Sequence, residues 1–333
     1  MSTPRTLALP HRVKARTIRT SRGTFAALEA SPARGVCERR PALLLPGFTG
    51  SKEDFLPVLQ PLAASGRRVF AIDQRGQYES QGSADPGGYL PDSLAADVTA
   101  IAASIAGGEA GVHLLGHSLG GLIARQAVLT DASAILSLTL LGSGPASIGG
   151  ERAQLLRAML TLLGSGTEPG TEPGTEDGTR LRKKLEQLWD ERLGPQARAD
   201  GVPEHIIGFL RRRTLLSCPV GLIMMGRFLL DCPDRTAELA GLPNARILVV
   251  YGENDDAWRP TAQDLMARRL RAQRVCIPAA AHSPAVEAPA TTAATLTDFW
   301  NAAERDIRRL RSMAGRQSGR AAAAAREAPA GSA

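Results

Sequence analysis

Short apolar runs alternate with segments of helical periodicity over most of the chain. The clearest runs span residues 42–45, 68–72, 112–115, 135–141 and 246–251. Each leads into a loop rich in Gly, Pro, Asp or Ser and then into a helical pattern, one of which places Leu94, Val98, Ile101 and Ile105 on a single stripe. Nearly continuous apolar runs separated by helices are typical of parallel strands buried on both faces. The pattern therefore predicts an α/β fold class.

Two regions depart from this alternation. Residues 12–20 and 24–29 are predicted to form two strands joined by a tight Ser-Arg-Gly turn. Between about residues 145 and 242 the alternation gives way to helical, apolar-rich segments. We therefore predict a helical insertion at 146–242 within a core formed by residues 11–145 and 243–303.

Three segments are predicted to lie outside the packed structure. Residues 166–179 repeat Gly-Thr-Glu-Pro and offer no apolar side chain large enough for a core, which predicts a disordered linker at 164–179. We also expect a flexible N-terminus at 1–10 and a basic, Ala- and Arg-rich tail at 304–333 that is largely disordered.

The formal net charge of +7 arises at the two ends of the chain. Residues 1–28 contain six basic residues and no acidic one, and residues 305–333 carry a net +5, so the segment between them is mildly acidic. A nucleic-acid-binding domain needs a basic face on its folded part. The charge distribution argues against nucleic acid as a substrate or partner.

The cysteines and the apolar segments indicate the compartment. Cys37, Cys218, Cys232 and Cys276 form no C-x-x-C pair and have no His at metal-ligand spacing, so we expect reduced thiols, with a Cys218–Cys232 bridge left open. No segment approaches the roughly 20 apolar residues of a membrane span, and the N-terminal residues lack an apolar run of secretory length. We predict a cytoplasmic protein without a membrane span and leave its oligomeric state open.

The strongest chemical signal is Gly116-His117-Ser118-Leu119-Gly120, which matches G-x-S-x-G. It directly follows the apolar run 112–115 and precedes a helical stretch, so the serine lies on a tight strand-to-helix turn. Such a turn needs small neighbours and exposes the hydroxyl at the end of the strand. Ser118 is therefore the candidate nucleophile, and a plain turn of small residues is the structural alternative.

A serine hydroxyl needs a base within hydrogen-bond reach and a third group that orients the base. Among the five histidines, His282 lies in a loop between the last apolar run, 275–277, and the final helix, and it is the candidate base. His117 adjoins Ser118, but neighbours on such a turn point apart, so we expect it to pack locally. The other three histidines lie in regions without such a loop.

Three carboxylates that could orient the base follow the strand predicted at 246–250. They are Glu253, Asp255 and Asp256. We choose Asp255 because it lies three residues beyond the turn glycine, and the other two remain open alternatives. The chain order serine, acid, histidine is the one expected on an α/β fold of this kind.

An oxyanion that forms on the substrate needs preorganised N–H donors. The backbone N–H of Leu119 follows the nucleophile directly. The second donor is expected from the loop 46–51 after the first parallel strand, where we favour the N–H of Phe48 because the flanking glycines permit close approach to a substrate.

These segments together resemble the α/β-hydrolase superfamily over residues 12–303. The matching segments are Pro46-Gly47-Phe48-Thr49-Gly50, the run from Asp73 to Ser80, the turn at Ser118, and the segments around Asp255 and His282. The resemblance implies an eight-stranded, mostly parallel sheet with helices on both faces and a helical cap inserted after the sixth strand. The departures are Pro46 in place of the usual loop histidine, and Gln77 and Tyr78 in place of the usual His-Gly.

The serine at the turn favours acyl transfer to water, because haloalkane dehalogenases and epoxide hydrolases of similar architecture carry aspartate there. We predict a serine hydrolase that cleaves a small or medium carboxylic ester through an acyl-enzyme on Ser118, with no metal and no organic cofactor. The alternatives are cleavage of a C–C, thioester or amide bond by the same triad, or a ligand-binding protein without turnover. Candidate residues of the pocket for a small-molecule substrate are Met159, Phe209, Met224, Met225, Phe228 and Trp258.

Overall fold

The computed structural model describes residues 2–33, 39–107, 111–163, 178–243 and 245–327 of the chain. Its strands are β1 (Val13–Thr20), β2 (Gly23–Ala30), β3 (Arg39–Leu45), β4 (Arg67–Ile72), β5 (Val112–His117), β6 (Ile135–Leu141), β7 (Ile247–Gly252) and β8 (Gln273–Ile277). These strands form one eight-stranded sheet in the order β1-β2-β4-β3-β5-β6-β7-β8. The strand β2 pairs antiparallel with β1 and β4, and the other neighbouring pairs are parallel. The predicted fold class and mostly parallel sheet are confirmed.

From β3 onwards, one α-helix of the described residues lies between each strand and the next along the chain, except between β6 and β7, where there are six. The helices of the described residues are α1 (Leu56–Ala64), α2 (Pro91–Ala106), α3 (Leu119–Thr130), α4 (Gly150–Leu162), α5 (Gly178–Leu188), α6 (Gly194–Ala199), α7 (Glu204–Leu216), α8 (Pro219–Asp231), α9 (Thr236–Ala240), α10 (Pro260–Arg269), α11 (Pro284–Glu287) and α12 (Pro289–Glu327). The helices α4 to α9 occupy the region where the sequence predicts an insertion. Of the linker predicted at 164–179, residues 164–177 lie outside the described residues, and residues 178 and 179 begin α5.

Apolar side chains cover both faces of the sheet. Successive residues of β3 point to opposite faces, so that Leu43 and Leu45 join one buried cluster while Ala42 and Leu44 join another. The first cluster packs under α2, α3 and the inserted helices α4, α5 and α8, and the second packs under α1 and α12. Burial on both faces explains why the central strands read as nearly continuous apolar runs.

The parallel strands bring the candidate residues to one edge of the sheet. The strands β3, β5, β6, β7 and β8 run in the same direction, so their carboxyl ends lie side by side. The loop 46–51 follows β3, Ser118 follows β5, and the loops that contain Asp255 and His282 follow β7 and β8. A ligand of an open α/β sheet binds at this edge.

The inserted helices are tied to the core by buried polar contacts. Arg213 in α7 donates from Nη1 to Asp54 Oδ1 at 2.9 Å, and both side chains are almost fully buried. At the next residues along the chain, the Ser217 hydroxyl accepts the backbone N–H of Tyr78 at 3.1 Å, and the Cys218 N–H donates to the Gly76 carbonyl at 2.8 Å. The bonds of Ser217 and Cys218 hold the junction of α7 and α8 against the segment that follows β4, and the bond of Arg213 ties α7 to the segment before α1.

The helices α7 and α8 meet at a 93° bend. Pro219 begins α8 and disfavours helical backbone in the residue before it, which accounts for the break. Among the described residues, no single helix has the length and the apolar composition needed to cross a membrane. The helices α7 and α8 meet these two criteria only as a pair, across their bend.

Both ends of the described chain differ from the sequence-based expectation. Within the N-terminus expected to be flexible, Pro4 is buried, Leu7 packs against the cluster around Trp189, and the Ser2 carbonyl accepts from Arg213 at 2.8 Å. At the other end, α12 continues through the tail expected to be largely disordered and ends at Glu327. Ala, Arg and Glu have high helix propensity, so the low-complexity composition of the tail is compatible with a helix. Residues 328–333 lie outside the described residues.

A buried polar cluster attaches the start of this tail to the sheet. His113 Nδ1 lies 2.7 Å from the Ser137 hydroxyl, and its Nε2 lies 3.2 Å from Glu304 Oε1. Arg67 donates to the same Glu304 oxygen at 3.0 Å, and the Trp300 ring stacks on His113 with centroids 5.4 Å apart. Glu304 is therefore part of the packed core rather than of a free tail.

Complete burial lowers the pKa of His113 to about 4, although its hydrogen bond to Glu304 acts in the opposite direction. The imidazole is therefore neutral near neutral pH. Because Glu304 can only accept when ionised, His113 Nε2 carries the proton and Nδ1 accepts from the Ser137 hydroxyl.

Replacement His113→Gln should make the stability of the protein less dependent on pH. The pKa of His113 is lower in the folded than in the unfolded chain, so the unfolded chain takes up the proton first as the pH falls, and stability is lost below about pH 6.5. Between pH 7 and 5 this histidine should account for a loss of about 2 kcal/mol in the free energy of unfolding. Urea unfolding of both proteins at several pH values measures the difference.

Ser137→Ala is the matched control, because it removes one hydrogen bond of His113 but keeps the imidazole. That variant should be less stable at every pH and should keep the wild-type pH dependence. Equal pH dependence of wild type and His113→Gln would contradict the assignment of a neutral His113.

Candidate active site

Ser118 occupies a strained turn between β5 and α3. Its φ of +53° lies in the left-handed region that side chains other than glycine rarely adopt. Its N–H donates to the Leu141 carbonyl at 2.9 Å, which ties the turn to the neighbouring strand β6. The flanking glycines are required by close packing, because a Cβ at Gly116 would lie 2.2 Å from the Gly120 carbonyl oxygen, and one at Gly120 would lie 2.5 Å from the Pro46 carbonyl oxygen.

The three side chains singled out in the sequence form a continuous hydrogen-bonded chain. His282 Nε2 lies 3.0 Å from Ser118 Oγ, and His282 Nδ1 lies 3.0 Å from Asp255 Oδ1. Ser118 is 7% exposed and the side chain of Asp255 is fully buried. The carboxylate end of this chain of bonds is therefore closed off from solvent, whereas Ser118 and His282 each keep a small exposed fraction.

Asp255 is held as an anion. Burial alone would raise the pKa of this carboxyl, but the hydrogen bond and charge of His282, with the bonds from Gln263 and the Ala257 N–H, outweigh it, so the pKa lies below its usual value. Gln263 Nε2 donates to Asp255 Oδ2 at 2.9 Å, and the Ala257 N–H donates to Oδ1 at 2.9 Å. An ionised Asp255 requires the proton of a neutral His282 on Nδ1, which leaves Nε2 free to accept from the Ser118 hydroxyl.

The other two acidic residues of the loop have different partners. Asp256 forms two bonds with Arg152 of α4, at 2.9 and 2.7 Å, and its side chain is 62% exposed. Glu253 accepts the backbone N–H of Ala279 at 3.0 Å. Of the three candidates, Asp255 is the one that the structure brings into contact with His282.

His117 has a contact that its sequence position did not suggest. Its Nε2 lies 2.8 Å from the backbone carbonyl oxygen of His282, which can only accept, so His117 donates. Complete burial and the nearby His282 lower the pKa of His117 to about 3, so its ring is neutral over the ordinary pH range. We expected His117 to pack locally; in the structure it holds the backbone of the candidate base.

Glu287 also holds the His282 loop. One carboxylate oxygen accepts the N–H of Ala281, and the other accepts the N–H of Ser283 at 3.1 Å. The loop lies so close to β7 that a Cβ at Gly252 would lie 2.0 Å from the Ala281 carbonyl oxygen. The backbone on each side of His282 is therefore fixed from more than one direction. His117 contacts a residue 165 positions away in the sequence, whereas Glu287 and Gln263 contact residues four to eight positions away, and no sequence motif signals any of these contacts.

The expected N–H donors belong to Leu119, the residue after Ser118, and to the loop 46–51. A Cβ placed on Gly47 would lie 3.1 Å from Ser118 Cβ, which shows how closely the loop 46–51 approaches Ser118. Neither the Phe48 N–H nor the Leu119 N–H donates to an acceptor among the described residues.

The six candidate pocket residues fall into different surroundings. The Trp258 ring lies 6.1 Å from the His282 ring between centroids, and its Nε1 donates to the Ala146 carbonyl at 2.9 Å. Phe209 packs edge-on against Tyr78 with centroids 5.6 Å apart. The remaining four, Met159, Met224, Met225 and Phe228, pack with the first core cluster, where Met225 is fully buried. Of these six residues, Trp258 is the one with a recorded ring contact to Ser118, His282 or Asp255, and its partner is His282.

The cysteines that the structure describes are free thiols. Cys218, Cys232 and Cys276 are unpaired, so the bridge left open between Cys218 and Cys232 is absent. Cys232 instead accepts from Arg125 Nη2 at 3.1 Å. Cys37 lies outside the described residues.

Comparisons with known proteins agree with this fold. The model of the alpha/beta hydrolase family matches residues 42–295. A putative carbamate hydrolase RutD of Variovorax paradoxus is 36% identical over 109 residues, which are 33% of this chain and 40% of that protein, so the match spans less than half of that relative. The chain belongs to the alpha/beta hydrolase family.

Solved structures show the same fold. A thermophilic esterase from Thermogutta terrifontis, 21% identical, aligns over 87% of this chain and 99% of its own with a TM-score of 0.64. An enol-lactonase from Burkholderia xenovorans, 18% identical, aligns over 86% of this chain and 100% of its own with the same TM-score of 0.64. At these identities the likeness concerns the fold alone.

Replacement Gly252→Ala should destabilise the protein and disturb the His282 loop. The added methyl would meet two backbone carbonyl oxygens, those of Ala281 at 2.0 Å and Ala280 at 2.4 Å, and backbone cannot move aside cheaply. We expect a loss of about 1–3 kcal/mol, as for other overpacked sites, measured by urea unfolding. Gly208→Ala is the control, because a Cβ there meets nothing within 4 Å and the residue lies inside α7. That control should be about 0.5–1 kcal/mol more stable than wild type, and similar effects of both changes would contradict the close approach.

Proposed function

We propose that the protein is a serine hydrolase that cleaves a carboxylic ester through an acyl-enzyme on Ser118. The observation that carries this proposal is the chain of two 3.0 Å hydrogen bonds from Ser118 through His282 to the buried Asp255. The N–H of Leu119, the residue after Ser118, and the N–H of Phe48, in the loop that packs against Ser118, have no protein acceptor among the described residues, which suits a role as donors to a developing oxyanion.

The proposed reaction has two halves. In the first, Ser118 Oγ attacks the ester carbonyl carbon while His282 Nε2 takes the hydroxyl proton, and the Phe48 and Leu119 N–H groups donate to the oxyanion. The tetrahedral intermediate collapses, the bond to the leaving alkoxide breaks, and His282 returns the proton to that oxygen. In the second half, His282 takes a proton from water as the water attacks the acyl carbon, and Ser118 is released with the proton restored.

Asp255 has a supporting role in this proposal. It keeps the His282 proton on Nδ1 and stabilises the imidazolium that forms in each half of the reaction. Gln263 and the Ala257 N–H hold the carboxylate in place, because they occupy the oxygen positions that His282 leaves free. The inserted helices are proposed to cap the site and to supply the apolar pocket predicted from Met159, Phe209, Met224, Met225, Phe228 and Trp258.

The choice of an ester rests on the chemistry of the residues. A serine nucleophile with a histidine base suits acyl transfer to water, and an alkoxide leaves readily once it is protonated. The similar protein named as a putative carbamate hydrolase supports bond cleavage at a carbonyl carbon. A small-molecule substrate and a cytoplasmic location, predicted from the sequence, are part of the same proposal.

Labelling with a fluorophosphonate tests the nucleophile directly. We expect one covalent adduct on Ser118, found by mass spectrometry of the folded protein, and no adduct in Ser118→Ala. Replacement His282→Ala should slow the labelling by at least about 100-fold, because general-base catalysis contributes on this scale. Folded protein that remains unlabelled, or labelling at the wild-type rate without His282, would point to a binding protein without turnover.

The identity of the acid is tested by three substitutions that remove one charge each. Asp255→Asn should lower kcat for p-nitrophenyl butyrate by on the order of 10²–10⁴-fold, because it favours the wrong tautomer of His282. The controls Asp256→Asn and Glu253→Gln should each stay within about 3-fold of wild type, since exposed or rim charges contribute little. A loss confined to either control would assign the acid to that residue instead.

The bond type is tested with matched substrates that share one acyl group. We expect turnover of p-nitrophenyl esters of short and medium chain length, with faster cleavage of the ester than of the corresponding p-nitroanilide. Turnover of a thioester, an amide or a 1,3-diketone in the absence of ester turnover would replace the ester assignment but keep Ser118 as nucleophile.

A further inference from the structure

Gln77 is a buried amide whose two ends are both engaged. The residue is 1% exposed, its Oε1 accepts the backbone N–H of Gln74 at 3.2 Å, and its Nε2 donates to the Gly47 carbonyl at 2.9 Å. The partners fix the orientation of the amide, because one can only donate and the other can only accept. The side chain therefore connects the segment after β4 with the loop after β3.

The Gly47 carbonyl, which accepts from Gln77, belongs to the same peptide unit as the Phe48 N–H. In a trans peptide the C=O and N–H groups point in opposite directions and lie in one plane. An anchored Gly47 carbonyl therefore sets the direction of the Phe48 N–H. This N–H is the proposed oxyanion donor, and it has no acceptor among the described residues.

The loop needs an external support to keep this peptide in place. Thr49 has a φ of +57°, a conformation that is costly for a residue with a side chain. The Gly47 carbonyl also accepts the Gly50 N–H at 3.1 Å, but that bond lies within the loop and moves with it. Pro46 has no side-chain donor of its own. Gln77 supplies a bond to this carbonyl from outside the loop.

Gln74 provides a comparison one peptide unit earlier. Its Nε2 donates to the Pro46 carbonyl at 3.0 Å, and it is also buried. The Pro46 carbonyl shares its peptide unit with the Gly47 N–H, which is not the proposed donor. Gln74 and Gln77 thus donate similar hydrogen bonds to successive carbonyls, those of Pro46 and Gly47. Of the two bonds, the one from Gln77 orients the Phe48 N–H.

We propose that Gln77 is a positioning residue that holds the Gly47–Phe48 peptide so that the Phe48 N–H faces the oxyanion in the transition state. This inference rests on the proposed ester hydrolysis at Ser118. Gln77 contacts no substrate atom, and its effect passes through the backbone. A loss of Gln77 should therefore weaken binding of the transition state more than binding of the substrate.

The test compares wild type with Gln77→Glu and Gln77→Met. The glutamate keeps the acceptor for the Gln74 N–H but cannot donate to the Gly47 carbonyl while ionised, and the methionine removes both bonds at similar size. For p-nitrophenyl butyrate we expect both variants to lose about 10- to 100-fold in kcat, less than the 10²–10³-fold typical of a lost oxyanion donor. KM should stay within about 3-fold, and kcat/KM should fall as much as kcat, as expected for a contact made in the transition state.

Two further measurements separate positioning from a general loss of structure. Saturating fluorophosphonate should still label Ser118 completely in both variants, which shows that the folded site persists. The affinity for a trifluoromethyl ketone, which forms a tetrahedral oxyanion adduct on serine, should fall in parallel with kcat. In Gln74→Met both quantities should fall several-fold less than in Gln77→Met, although a similar hydrogen bond to the same loop is lost.

Each outcome bears on one of the two proposals. Wild-type kcat and ketone affinity in both Gln77 variants, with Ser118-dependent ester turnover intact, would overturn the positioning role and leave the proposed function standing. Equal losses in Gln74→Met and Gln77→Met, or a loss confined to KM, would also overturn it. If the wild-type protein neither labels at Ser118 nor cleaves an ester, the proposed function fails and this inference fails with it.

Discussion

The close approach of backbone segments at the carboxyl edge of the sheet is the constraint on which the rest of the site depends. Ser118 turns from β5 into α3 with a φ of +53°, and this turn is possible because Gly116 and Gly120 leave no side chain between the strand, the helix and the loop after β3. The same condition recurs at the end of β7, where Gly252 lets the His282 loop approach to a distance that a Cβ would prevent. Because the backbone segments pack this closely, the short side chains of Ser118, His282 and Asp255 lie within hydrogen-bond distance of each other.

The position of His282 follows from contacts made on its backbone as well as on its ring. His117 donates to its carbonyl oxygen, Glu287 accepts the N–H groups of the residues on either side, and Asp255 accepts from Nδ1. His117 donates this bond from Nε2, and burial keeps its ring neutral. In the proposed reaction, a ring held in this way needs little reorganisation when it accepts and returns a proton, which favours catalysis by preorganisation.

The segment that follows β4 links the inserted helices to the loop beside Ser118. Gln77 binds the Gly47 carbonyl, while the neighbouring Tyr78 N–H binds Ser217 and the Tyr78 ring packs on Phe209. The loop and the junction of α7 and α8 are therefore connected through two consecutive residues. The hydrogen bonds of Gln77 and Tyr78 are buried and cannot be exchanged for water without cost. A displacement of the inserted helices would therefore act on the same short segment that supports the proposed oxyanion donor.

The sequence alone determined the features that depend on local pattern. Apolar runs predicted the parallel strands because both faces of the sheet are buried, and G-x-S-x-G marked the turn at Ser118 because a strained strand-to-helix turn restricts the residue types around it. Loop position also selected Asp255 and His282, which the structure brings into contact. The tertiary structure decided the roles of Gln77 and His117, since Gly47 and His282 lie 30 and 165 positions away from them in the sequence. It also decided the role of Glu287, since the backbone N–H groups that this carboxylate binds depend on how the His282 loop folds. It also decided the surroundings of the candidate pocket residues and the extent of α12, because apolar or Ala-rich composition does not specify which surface a residue contacts.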